Sequence, residues 1–325
     1  MNYKTFSILA LISIAIPVYG QSGKSTYTFV RFNSESNMSL FQQTKEIPLT
    51  LAFTNEKTFE SDELMKGIPI TKKINKNRFA LIVGNENYRD KNLGLDDVAF
   101  AINDAKAFRE YAVKSFGILK ENIFYLENAS SGILAANIER LVLLLGSSAE
   151  NKELIYYFSG HGIVSGKNNQ FYTLPVDVEP VTLAGASSIN SVFEKFSEMG
   201  NVLLVAFTDA CSGGRNRVGA TLISQRGIKL EPGEGALPPR SILFTAASLE
   251  QVASSYQDKN HGLFTYLLLK NIKEFRSGNS WSELSESVIK VTKDMSIRLM
   301  YKEQTPSIKG HPASLDSWKK LKVIE

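Results

Sequence analysis

The chain has 325 residues, 43% of them apolar and 22% charged, with a formal net charge of +4 and a single cysteine. This composition is that of an ordinary globular chain with enough length for a large hydrophobic core, and a single cysteine excludes a disulfide-stapled one. The small positive charge is spread along the sequence without a dense basic run, so no nucleic-acid partner is expected.

Residues 1–20 open with Lys4, continue through an apolar stretch at about 6–16 and end in Pro17-Val18-Tyr19-Gly20. A short positive start, an apolar core too short to span a bilayer and compact residues at Val18 and Gly20 predict a cleaved signal peptide. The expectation is a secreted or periplasmic protein with no membrane span after signal removal. One thiol allows no internal disulfide, which leaves the cysteine as an intermolecular partner or a reactive group. Residues 22–26 imitate the end of a phosphate loop, but Val18 stands where its first glycine belongs, so nucleotide binding there is rejected. Residues 21–77 read as an N-terminal extension. Within it 26–32 and 48–54 alternate like strands, as an edge hairpin or a removable pro-segment.

From residue 78 onward, apolar runs alternate with amphipathic stretches. Strands are predicted at 79–83, 123–126, 154–158, 202–208 and 241–246, with a short extended piece at 171–175. Helices are predicted at about 96–116, 131–146, 189–199, 263–273 and 281–300. In the first, Val98, Ala101, Ile102, Ala105, Phe108 and Ala112 share a face and Gly117 closes the end. Alternating β and α units predict an α/β fold with a parallel sheet covered by helices on both faces. Residues 212–240 are rich in glycine and proline and form a long loop carrying Arg215, Arg217, Arg226, Lys229 and Arg240.

Two apolar runs stop abruptly. LIYYFSGHG ends at residue 162, and VLLVAFTDACSGG ends at residue 214. Strands buried on both faces read this way, and the chemistry of a parallel sheet sits beyond their carboxyl ends. One run delivers His161 and the other Cys211, about fifty residues later. Taken singly, a lone histidine is more often structural and a lone cysteine more often inert. Together at strand ends they form a candidate pair, whereas His261 and His311 fall on no catalytic motif. One cysteine and three scattered histidines give no metal-ligand spacing.

Ser159-Gly160-His161-Gly162 and Asp209-Ala210-Cys211-Ser212-Gly213 stand beside Asn103-Asp104-Ala105, Thr245-Ala246-Ala247, Gly262-Leu263-Phe264-Thr265 and Gln304-Thr305-Pro306. With these motifs the chain resembles the bacterial caspase-like and metacaspase branch of the caspase–clostripain–legumain clan of cysteine peptidases, from about residue 78 to the end. The resemblance implies a caspase-like three-layer sandwich with a mostly parallel central sheet. It also implies an endopeptidase with Cys211 as nucleophile, His161 as acid and base, and the N–H groups of Gly162 and Cys211 as the oxyanion hole.

Asp209 is the candidate specificity residue. A carboxylate there would repel an acidic substrate residue and pair with Arg or Lys, and metacaspases and clostripain point the same way. The plainer alternative is a cap on the turn after the strand. Asp104 and Asp177 are candidates for further negative charge. One departure is that Ser212-Gly213 follow the cysteine directly, where many metacaspase-like members carry an extra residue. The implied partners are protein or peptide substrates with Arg or Lys before the scissile bond, and loop 212–240 is an expected self-processing site. No cofactor is required. Calcium (Ca2+) activates several relatives, although the sequence shows no calcium-loop pattern. An inactive caspase-fold binding module and a transamidase using the same acyl-enzyme remain as alternatives.

Overall fold

The computed structural model describes residues 13–19 and 25–31 and, apart from 92, 166, 169, 211–236, 249–250 and 276–277, residues 62–325. The chain divides into two compact units, Met1–Glu56 and Lys57–Glu325. In the first, β1 (Ser13–Tyr19) pairs antiparallel with β2 (Ser25–Arg31). β2 falls on the expected strand at 26–32, but its partner is β1. Residues 48–54, the expected partner, lie outside the described residues, as does most of the extension.

In the second unit, β3 (Arg78–Gly84) leads through α1 (Ala101–Lys114) to β4 (Ile123–Glu127), and α2 (Ser131–Gly146) leads to β5 (Lys152–Ser159). The short hairpin β6 (Gly162–Val164) and β7 (Phe171–Thr173) precedes α3 (Ile189–Ser197) and β8 (Val202–Asp209). β9 (Ser241–Thr245) is followed by the small pair β10 (Ser255–Tyr256) and β11 (His261–Gly262), then α4 (Leu263–Glu274) and α5 (Trp281–Met300). β12 (Ser307–Gly310) and α6 (Pro312–Lys319) complete the order.

Six strands form one sheet in the order β12-β9-β8-β5-β3-β4, all parallel except β12. The chain starts at β3, steps outward to β4, then returns past β3 to β5 and continues outward the other way. The reversal between β3 and β5 is the topological switch point, where such sheets open a crevice beyond the strand ends. Alternation along the strands sorts the core into two faces. Ile155, Tyr157, Val205 and Phe207 pack with Phe108, Leu267 and Trp281 on the face of α1, α4 and α5. Leu154, Tyr156, Phe158, Leu204 and Ala206 pack with Leu134, Ile138 and Phe193 on the face of α2 and α3. This is the helix-covered, mostly parallel sheet expected from the alternating elements and the three-layer sandwich that the resemblance implies.

Local signals explain the boundaries. Ser130 caps α2 by accepting from Ile133 N–H, and Ser280 and Glu283 close a reciprocal capping box at α5. Gly117, at φ 65, turns the chain after α1 in the left-handed region that favours glycine. One boundary differs from expectation: α1 begins at Ala101 rather than residue 96. Asp97 Oδ1 instead accepts from Tyr88 and Arg89 N–H, Val98 N–H donates to Glu86 O, and Phe100 adopts φ 70, so residues 96–100 form a turn tied to the loop after β3.

Phe108 stacks on Tyr157 at 4.1 Å and meets Phe116 and Phe207 edge-on or tilted. Phe108→Ala should cost about 3–5 kcal/mol of unfolding free energy, read by urea denaturation, because it opens a cavity between α1 and the sheet. A loss under 1 kcal/mol would contradict this packing.

Candidate active site

Parallel pairing places Gly84, Ser159 and Asp209 in one row across β3, β5 and β8. The strands that lead to the histidine and the cysteine therefore end level with each other at the switch point. Beyond that row Gly160 N–H still donates to Asp209 O, at 3.3 Å. His161 follows at the site's edge, 2% exposed.

Asp96, Tyr88 and Leu174 hold His161. Its Nε2 lies 2.7 Å from the carbonyl oxygen of Asp96, and a carbonyl only accepts, so Nε2 carries the hydrogen and Nδ1 is the basic nitrogen. Its backbone N–H donates to Tyr88 Oη at 3.1 Å, and its carbonyl accepts from Leu174 N–H at 2.9 Å. Tyr88 Oη in turn donates to Leu174 O at 2.7 Å, while the tyrosine ring meets the imidazole edge-on at 4.6 Å. Asn85, fully buried, ties the same junction together by bonding Leu174 O and Ala129 N–H. Gly160 is required here, since a Cβ would stand 2.8 Å from Tyr88 Oη and 2.9 Å from the Phe158 ring.

Gly162 opens β6 opposite Thr173. His161 and Leu174 form the neighbouring hydrogen-bonded pair, so Gly162 belongs to a non-hydrogen-bonded pair and its N–H turns away from β7. That direction suits an oxyanion donor. Cys211 lies two residues beyond Asp209 and outside the described residues, as do residues 212–236 of the long loop.

Asp209 and Ser159 both point to the α1 and α4 face. Asp209 is fully buried, and its Oδ2 accepts from Thr265 N–H at 3.1 Å and Thr265 Oγ1 at 2.7 Å. Thr265 lies in the first turn of α4, whose N-cap, Gly262, offers no side chain. The carboxylate thus serves a helix N–H that would otherwise lack a partner, at the end of the dipole that favours negative charge. Asp104, on α1 and fully buried, stands beside it. It accepts from Gly262 N–H at 2.9 Å, Ser159 Oγ at 2.9 Å and His261 Nδ1 at 2.9 Å. Asp104 therefore joins Asp209 at the start of α4. Asp177 does not: it accepts from Ser131 N–H and Oγ at the start of α2.

His261, 1% exposed in its side chain, donates from both ring nitrogens, to Asp104 and at 2.8 Å to Asp62. Two carboxylate partners require the imidazolium. Burial pulls its pKa down, but the bonds to Asp104 and Asp62 outweigh that and raise it to about 9. Sequence reasoning gave His261 and Asp62 no role. A lone histidine 199 residues from its carboxylate partner leaves no local pattern to read.

His161 thus stands at the switch point of a three-layer α/β sandwich, at the end of the strand next to the one that leads to Cys211. The family model of the caspase domain matches residues 77–315, and the chain belongs to that family of cysteine-type peptidases acting on protein substrates. Its fold is caspase-like. It is similar to the crystal structure of caspase-1 from Spodoptera frugiperda, with a TM-score of 0.52, 13% sequence identity, and coverage of 76% of this chain and 91% of that one. No curated protein matches the chain. Among the described residues, no helix is long and apolar enough to cross a membrane.

The His261 imidazolium carries a stability prediction. Its folded-state pKa lies above the unfolded value near 6.5, so its contribution is fully present below about pH 6.5 and is lost as pH rises through about 9. Denaturant unfolding across that window should show a loss of the order of 3 kcal/mol that is absent in His261→Gln. An equal loss in both proteins would contradict the imidazolium. Tyr88→Phe, which leaves Leu174 O and His161 N–H without their shared partner, should cost about 1–3 kcal/mol in the same assay.

Proposed function

We propose that the chain is an exported cysteine endopeptidase that hydrolyses peptide bonds after Arg or Lys through a thioester acyl-enzyme. The observation that carries the reading is His161 itself. It is fixed by Asp96 O through Nε2, which directs the basic Nδ1 to shuttle a proton, at the end of the strand next to the one that precedes Cys211. His161 accepts the thiol proton of Cys211, giving a thiolate and an imidazolium. The thiolate attacks the scissile carbonyl carbon, and the oxyanion accepts from the N–H groups of Gly162 and Cys211. The imidazolium gives its proton to the leaving amine as the C–N bond breaks, leaving a thioester. Water, deprotonated by His161, then attacks the thioester carbonyl. The acid product departs as the proton returns to sulfur.

Preference for a basic residue rests on Asp209, with Asp104 beside it. Two buried carboxylates at one helix N-terminus give the site an acidic floor that a guanidinium or ammonium complements and a carboxylate does not. The signal at residues 1–20 sends the chain to the periplasm or the medium, and cleavage after Gly20 removes β1. Arg215, Arg217 and Arg226 suit self-processing by an enzyme of this preference, whereas Arg240 does not: its carbonyl accepts from Leu204 N–H in the sheet ladder and Ser241 after it is buried. The chemistry needs no cofactor, and calcium is tested as an activator.

The test uses the chain from Gln21 onward on fluorogenic peptides ending in Arg, Lys or Asp, with and without calcium. Release after Arg and Lys is expected from the wild type and none from Cys211→Ala, which should also stay unprocessed. His161→Ala should lose roughly 10²–10⁴-fold in rate. Asp209→Asn should lose about 10–100-fold on the Arg peptide, the worth of one charged hydrogen bond. Release after Asp would overturn the specificity. Silence from folded, processed protein would make the chain a binding module.

A further inference from the structure

The segment before the caspase domain match enters the site. Asp62 and Glu63 begin a strap that runs along α1 and α4 with Leu64 and Ile68 buried beneath it. Backbone and side chains pin it at several points. Tyr111 Oη donates to Leu64 O at 2.9 Å, Ser115 Oγ to Pro69 O at 2.8 Å, and Lys114 O accepts from Thr71 N–H at 2.8 Å. Glu63 takes Lys259 at 3.0 Å and the Tyr266 hydroxyl, and Lys273 Nζ donates to Glu63 O at 2.7 Å. The strap places Asp62 against His261, with Asp62 Oδ1 held by Leu64 N–H at 2.9 Å and Oδ2 by His261 Nε2.

His261 is thereby clamped between a carboxylate of the strap and one of α1. Its own backbone continues through Gly262, whose N–H also bonds Asp104, into the first turn of α4. Three residues after Gly262, Thr265 grips Asp209 by both its N–H and its hydroxyl, and that hydroxyl also bonds Tyr157 Oη at 2.7 Å. The acidic floor is therefore built from the strap inward: Asp62 to His261, His261 and Gly262 to Asp104, α4 to Asp209. We infer that Asp62 and His261 are specificity-positioning residues, which fix the start of α4 so that Asp209 meets the basic residue of the substrate. The strap is then part of the mature peptidase, and an N-terminal extension can be removed only before Asp62. This inference rests on the basic-residue preference proposed above.

Positioning and simple charge make opposite predictions for His261. Removing Asp62 takes away a negative charge and removing His261 a positive one, so through-space attraction alone would lower preference for Arg in the first variant and raise it in the second. Loss of position lowers it in both. The experiment compares kcat/KM for paired peptides with Arg or the uncharged isostere citrulline before the scissile bond, using the full chain, Asp62→Asn and His261→Gln, with thermal melts to establish folding. The Arg-to-citrulline ratio should fall at least fivefold in each variant, mainly through KM on the Arg peptide. An unchanged ratio, a rise in His261→Gln, or a loss shared equally by both peptides would overturn the inference. Where one variant fails to fold, the ratio in the other decides. A wild type with no preference for Arg over citrulline fails the parent reading as well, which separates that result from failure of the variants alone.

Discussion

The site depends on the register of β5 against β8. Hydrogen bonds of the parallel ladder set Ser159 opposite Asp209, and the same ladder sets Gly84 beside Ser159. A slip of one residue would send every side chain of a strand to the opposite face, and burial on both faces forbids it. With the register fixed, two residues of chain suffice to carry β5 to His161 and β8 to Cys211. The loop after β3 enters the same crevice because β3 lies on the other side of the switch point. It supplies Tyr88 and the Asp96 carbonyl.

Face alternation then divides the labour of the strand ends. Tyr157, Ser159, Phe207 and Asp209 look toward α1 and α4, so the last turn of sheet on that side is polar where the rest is aromatic. The N-terminus of α4 faces these groups with N–H donors that its glycine cap leaves open, and buried carboxylates answer them. An acidic cluster inside a protein needs this kind of compensation, because an uncompensated buried charge costs several kcal/mol. The imidazolium of His261 supplies a counter-charge that the helix alone does not.

Much of this was legible in the sequence, and the reasons are physical. Runs such as 154–158 and 202–208 are apolar throughout because both faces of the central strands are covered, so the strands and the parallel fold could be read directly. His161, Gly162 and Asp209 follow from motifs at strand ends. Asp209 reads in sequence either as a specificity residue or as a cap on the turn after its strand, and in the structure it caps the start of α4 instead of that turn. What escaped reading has no residue-type signature. Asp96 acts through a backbone carbonyl. Residues 96–100 continue a helical pattern in sequence, but their polar groups bond the loop after β3. β12 is four residues long with no apolar run, and its pairing with β9 is set by distant chain. The strap and its Asp62–His261 contact join residues from opposite ends of the chain, which only the folded topology brings together.

The most direct measurement is covalent trapping of the wild-type chain and of His161→Ala with an acyloxymethyl ketone carrying Arg, followed by intact mass and peptide mapping. One adduct per wild-type chain is expected, on Cys211, formed much faster than with the matching Asp probe and nearly abolished in His161→Ala. A folded wild-type chain that takes up neither probe, or that labels equally fast with both or equally fast without His161, would contradict that expectation.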